Sequence, residues 1–182
     1  MSVGSTDRDG DSAGERLDGD LPRTHASRPR ESVWDYPRPP RLEPESRQVR
    51  LELGGEVIAS TSEALRILET SHPPTIYLPF ASFAPGVLRD GNGSSFCEWK
   101  GMARYHDLVV GDRVARAAGW SYRRPNGAYA ALVDHVAIYP GRVDAAWLDD
   151  ERVRPQPGDF YGGWITDELD GPFKGAPGTR GW

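Results

Sequence analysis

Apolar and polar residues alternate along Val49-Arg50-Leu51-Glu52-Leu53, the period of a strand with one buried face. Gly54-Gly55 follows, and Glu56-Val57-Ile58-Ala59 resumes a strand-like run, which predicts a hairpin with a tight turn. Ser60 and Glu63 have the spacing of a capping box, and Ala64, Leu65, Ile67 and Leu68 fall on one helical face. This predicts a short helix that ends before Pro73. Thr75-Ile76-Tyr77-Leu78 is a second β-rich run, closed by Pro79. Residues 80–95 read as irregular, with Asp90-Gly91-Asn92-Gly93 as their turn. Further strand-like runs lie near 96–100, 102–110, 113–122, 135–139, 143–148 and 160–165. Asp149-Asp150 turns a hairpin between Ala145-Ala146-Trp147-Leu148 and Arg152-Val153, and residues 128–133 fit one helical turn. The pattern predicts a mostly β fold: a compact single-domain barrel or bent sandwich of short antiparallel strands with one or two short helices. Strands alternating with long helices are absent, which argues against a doubly wound nucleotide fold.

Residues 1–30 are rich in Asp, Arg, Gly and Ser and read as a disordered tail. Residues 31–46 form a proline-rich aromatic arm around Trp34-Asp35-Tyr36-Pro37-Arg38-Pro39-Pro40. It is either a proline-rich ligand for a partner domain or a segment that lays Trp34 and Tyr36 on the protein's own core, and the second is favoured. The β domain is expected over 47–167. Residues 168–182 read as a flexible Gly/Pro-rich terminus from which Phe173 or Trp182 docks.

The net charge of −5 is spread along the chain and leaves no basic footprint, so nucleic acid is not the expected partner. No apolar stretch is long enough to span a bilayer and no leader pattern opens the sequence. With a single cysteine, these features predict a cytoplasmic protein without membrane attachment. One cysteine also excludes zinc sites built on paired cysteines, and His72, His106 and His135 lack ligand spacing. No metal and no cofactor are expected.

Several segments occur in a characteristic order: Trp34-Asp35-Tyr36-Pro37, Glu69-Thr70-Ser71-His72-Pro73-Pro74 before Tyr77-Leu78-Pro79, Cys97-Glu98-Trp99-Lys100-Gly101 before Ala103 and Tyr105, Trp120-Ser121-Tyr122, Val136-Ala137-Ile138-Tyr139-Pro140, and Phe160-Tyr161-Gly162-Gly163-Trp164. Together they resemble the bacterial family called domain of unknown function 427, from about residue 31 to 164. The resemblance implies a small, mostly β domain and no established reaction, although the family carries a nucleotidyltransferase-like name. Many relatives have Cys-Pro-Tyr-Lys-Gly in the central segment, where this chain has Glu98-Trp99 in place of Pro-Tyr.

Candidate chemistry centres on Cys97, Lys100, His72 and Glu69. A cation near a thiol favours the thiolate, so Lys100 would activate Cys97 if the chain brought the two together. On a regular strand positions 97 and 100 face opposite ways, so this requires a bend at Gly101; otherwise Cys97 lies behind the pocket wall beside Trp99. His72, stiffened by Pro73-Pro74, is a candidate general base that Glu69 or Ser71 would orient. Tyr105, Trp120, Tyr122, Tyr161 and Trp164 are candidate ligand contacts, and Gly162-Gly163 would permit a close backbone approach. Two functions fit: a module that binds a small molecule among aromatics plus Lys100 and His72, or an enzyme using Cys97 or Lys100 with His72 or Glu69 as acid/base, acting on nucleotides in one version.

Overall fold

The computed structural model describes Met1, residues 28–179 and residues 181–182. Most of the expected disordered tail therefore lies outside the described residues. Among the described residues fifteen strands follow one another: β1 (Glu31–Ser32), β2 (Arg41–Glu45), β3 (Val49–Leu53), β4 (Glu56–Thr61) and β5 (Ala64–Leu68). Then come β6 (Thr75–Pro79), β7 (Leu88–Cys97), β8 (Gly101–Val110), β9 (Arg113–Ser121) and β10 (His135–Ile138). The last five are β11 (Ala145–Leu148), β12 (Glu151–Arg152), β13 (Arg154–Pro155), β14 (Trp164–Ile165) and β15 (Leu169–Asp170). Among the described residues helical structure is limited to short 3-10 turns, the longest over Gly127–Leu132.

The fold is mostly β, as the patterning predicts. Seven strands form an open antiparallel sheet in the order β2-β5-β6-β10-β9-β8-β7, and four more form the sheet β12-β11-β3-β4. The two pack face to face: Val49, Leu51, Leu53 and Ile58 from the smaller sheet share a core with Ile76, Leu78, Val136 and Ile138 from the larger. Strand alternation then dictates the other face. Tyr77 and Ala137 turn away from that core and join Tyr122, Tyr129 and Leu132 in a second apolar cluster. No barrel closes, so of the two predicted architectures the bent sandwich is the one that forms.

The helix expected over the Ser60–Leu68 region is a strand pair instead. Ser60 lies in β4, and β5 is hydrogen-bonded to β2 on one side and β6 on the other. The hydroxyl that engages the local backbone belongs to Thr61, which accepts from the Glu63 N–H at 3.0 Å and so turns the chain rather than capping a helix. Pairing on both edges outweighs the helical spacing of four apolar residues. The stretch expected to be irregular is half strand, since β7 begins at Leu88; Asp90-Gly91-Asn92-Gly93 marks a register shift within it rather than a turn between elements. Of the run at 160–165 only Trp164–Ile165 is strand.

The arm docks on the domain. Val33 and Tyr36 are buried with Leu68 and Leu169, and Phe173 packs on the same cluster. The Tyr36 hydroxyl donates to Glu31 at 2.6 Å, and the Trp34 indole donates to the Pro172 carbonyl at 2.9 Å. Residues 171–174 thus reach back over the arm, and Trp182 sets its ring 5.4 Å from that of Trp34.

Candidate functional site

On the face of the large sheet turned away from the shared core lies a cavity of about 470 Å³. Its floor is aromatic, because Tyr77, Tyr105, Trp120 and Tyr122 occupy alternate positions on three strands of the sheet and its edge. Trp120 pairs across the ladder with Tyr105 on one side and Ala137 on the other. Its ring lies 4.5 Å from that of Tyr139 and 6.2 Å from that of Tyr77. Burial raises the pKa values of Tyr77 and Tyr122, with Cys97 adding to the effect, and pushes that of Tyr139 up to about 12. These phenols stay protonated near neutral pH and offer hydrogen-bond donors.

The second wall is the hairpin between β7 and β8. Cys97 pairs with Gly101, so Glu98, Trp99 and Lys100 form the connecting turn. Gly101 has φ +98, a left-handed conformation that L side chains rarely adopt. This is the bend the sequence required: it brings Cys97, half-buried, and Lys100, 7% exposed, to one cavity. Cys97 therefore lies on the wall and not behind it. Asn126 clamps the turn, donating from its backbone to the Lys100 carbonyl and from its side chain to the Trp99 carbonyl. The Lys100 ammonium sits 5.7 Å from the centroid of the Tyr129 ring. Among the described residues no carboxylate stands within ion-pair distance of it. Glu98, beside it in the turn, is exposed.

The third wall is the segment 69–73. Ser71 is fully buried at φ 70, a strained conformation for a serine. It is held from both sides: its N–H donates to the Val33 carbonyl of the arm, and its carbonyl accepts from the Lys174 N–H. Thr70 is fixed in turn by its hydroxyl on the Tyr36 carbonyl and by the Arg38 guanidinium on its own carbonyl. The result is a fixed imidazole. His72 Nδ1 lies 3.0 Å from the Thr70 carbonyl, so that nitrogen carries the proton and Nε2 is left as the acceptor. Tyr161 meets the ring edge-on at 4.7 Å. Burial lowers the His72 pKa against the opposing pull of Glu69, leaving the ring neutral near pH 7. Glu69 also pairs with Arg38 at 3.6 Å.

Of the residues singled out in the sequence, Cys97, Lys100, His72, Glu69, Tyr105, Trp120, Tyr122 and Tyr161 all line this cavity. Trp164 does not. It is 1% exposed in the core between the sheets, where its indole donates to the Ile138 carbonyl. Gly162 and Gly163 admit the protein's own groups: Gly162 lies against Trp120, and Gly163 against Pro73 and Gln156. Sequence reasoning missed Arg38 and Lys174, which bring further positive charge to the rim from the arm and the C-terminal segment. Lys174 donates to the Trp182 carbonyl and lies 5.6 Å from the Tyr161 ring centroid. Nothing local in the sequence marks either residue, since both arrive by docking. Among the described residues no three His, Cys, Asp or Glu side chains converge as a metal site, and no helix is long and apolar enough to cross a membrane.

No curated protein matches the chain. Residues 41–149 match the family described as domain of unknown function 427 (DUF427). That span includes Glu69, His72, Cys97, Lys100, Tyr105, Trp120 and Tyr122, and stops before Tyr161 and Lys174. With more than half of its length inside the match, the chain belongs to the DUF427 family.

Proposed function

We propose that the domain binds a small molecule with a flat aromatic part and an anionic group. The carrying observation is Lys100: a buried ammonium on an aromatic cavity wall with no carboxylate partner among the described residues. Burying a cation is unfavourable unless an anion or π-face compensates, and one tyrosine face at 5.7 Å compensates only in part. A carboxylate or phosphate would complete the pairing, with Arg38, Lys174 and the protonated tyrosines as further donors. The volume of about 470 Å³ is in the range of small-molecule sites.

A second reading, catalysis by His72, rests on its tautomer, which presents Nε2 as a base without a protein partner among the described residues. Cys97 is the nucleophile within reach of the same cavity. The family's short name, NTP_transf_9, points this reading toward nucleotides.

One titration tests both. Benzoate, indole carboxylates and nucleoside monophosphates and triphosphates are added to the protein, with tryptophan fluorescence and calorimetry as readouts. Saturable binding is expected for at least one member. Lys100→Met should weaken it on the order of tenfold to a hundredfold, the worth of a hydrogen bond to a charged group. Binding unaffected by Lys100→Met, or none across the panel, removes the proposal. Chemical conversion of a bound member would move the assignment to the enzyme reading.

A further inference from the structure

The opposite face of the same strands carries a second set of reactive groups. Tyr105 and Trp120 face the first cavity, so their neighbours His106 and Ser121 face the other way. There, Ser121 Oγ lies 2.7 Å from His106 Nε2. His106 Nδ1 lies 3.6 Å from Asp90 Oδ1, and Arg123 approaches the other Asp90 oxygen at 3.4 Å. The order hydroxyl, imidazole, carboxylate is that of an activated serine: a nucleophile beside a base, and the base beside a group that orients it. A carboxylate on the Nδ1 side favours the tautomer with its proton there, so Nε2 accepts from the serine hydroxyl. Burial lowers the His106 pKa, Asp90, the Arg89 backbone and Asp107 raise it, and Arg123 lowers it. The net shift is downward, which leaves a neutral imidazole able to take a proton at pH 7.

These groups stand on a cavity of about 430 Å³ separate from the first. Phe80, Phe83, Pro85 and Leu88 make one part of its wall apolar, and Arg89 and Arg123 supply guanidinium groups. The Phe80 ring packs edge-on against His106 at 5.7 Å, limiting the orientations of the imidazole.

We propose that Ser121 and His106, positioned by Asp90, form a hydrolytic site for esters of small apolar acids. Ser121 Oγ bonds to the ester carbonyl carbon while His106 Nε2 takes the hydroxyl proton. The carbonyl oxygen becomes an oxyanion beside the guanidinium groups, and its collapse breaks the bond to the alcohol, which leaves with the proton from Nε2. Water then adds to the acyl carbon, giving a proton to Nε2. Oγ departs and recovers that proton, and the carboxylic acid is released. The apolar wall takes the acyl chain. Asp90 acts through His106 and is a positioning residue. The 3.6 Å separation is long for a hydrogen bond, as such contacts commonly are before substrate binds.

The test uses the full chain with a fluorophosphonate probe, followed by intact mass and peptide mapping. Circular dichroism establishes that each protein is folded. The wild-type chain should acquire one adduct on Ser121 and hydrolyse 4-nitrophenyl butyrate with an initial burst. Ser121→Ala should lose both. His106→Asn should slow labelling about a hundredfold or more, the scale of a lost general base. Asp90→Asn should move the acid limb of the labelling rate to lower pH, since its charge raises the His106 pKa, a shift that a purely structural role would not produce. A folded wild-type chain that leaves Ser121 unlabelled overturns the proposal. So does labelling of His106→Asn at the wild-type rate. In either case the pair is a buried hydrogen bond that stabilises the sheet. The wild-type result does not depend on how well any variant folds.

Discussion

A methyl group on Gly162 would lie 2.7 Å from Cζ3 of Trp120 and 3.2 Å from Cδ1 of Tyr139, well inside normal contact. Because Trp120 is a cavity wall, the ring can yield mainly toward the space a ligand would fill. Gly162→Ala is therefore expected to destabilise the fold by about 1–3 kcal/mol through overpacking and to weaken the proposed small-molecule binding. Denaturant unfolding and tryptophan fluorescence read the two effects separately. The need for small residues at 162 and 163 was legible in the sequence, but the neighbours that impose it were not. They come from segments distant in the chain. The same holds for Lys100 and Cys97: alternation of side chains correctly posed the problem, and it is resolved because β7 stops at Cys97 and the left-handed Gly101 closes the turn that carries Lys100.

At the scale of elements, the short strands and their hairpins followed directly from the period of two and from Gly54-Gly55 and Asp149-Asp150. The failure was β5. Ala64, Leu65, Ile67 and Leu68 fit a helical face equally well, and an interior strand with apolar residues on both faces loses the alternation that distinguishes it. What decides is non-local: β2 and β6 supply hydrogen bonds to both edges of the segment. The arm behaves as part of this assembly. Removing residues through Tyr36 takes away Val33 and Tyr36 and uncovers Leu68 and Leu169. Two buried side chains of this kind are worth about 3–6 kcal/mol together, and denaturant unfolding should show a loss of that order. The deletion also frees the Ser71 N–H, which donates to the Val33 carbonyl. The proposed small-molecule binding should therefore fall along with stability.

Across the whole molecule, the arm end of the large sheet is tied to the C-terminal segment through charge. Arg47 donates to both oxygens of Glu45, at 3.0 and 2.9 Å, and to Glu168 at 2.6 Å, with the Glu45 carboxylate entirely buried. Burial alone would raise the Glu45 pKa; the hydrogen bonds and charge of Arg47 outweigh it, and the carboxyl is held below its ordinary value. A depressed carboxyl contributes stability above its unfolded pKa of about 4.3. That contribution disappears as pH falls through the folded value. Arg47→Met should cost about 3–5 kcal/mol at pH 7, because it leaves the buried Glu45 carboxylate with only Arg28, 3.7 Å away, as a counter-charge. The deficit relative to the wild-type chain should shrink below pH 4.3 or so as Glu45 protonates, which urea unfolding at a series of pH values measures. The two cavities raise a different question, that of divergence. Both draw on neighbouring positions of β8 and β9, with Tyr105 and Trp120 on one side and His106 and Ser121 on the other. Inserting or deleting one residue ahead of these positions would exchange the contents of both cavities at once. A descendant of this chain could not lose one by a shift in frame and retain the other. Substitution at single positions is the route by which relatives would keep the aromatic cavity while discarding the serine and histidine behind it.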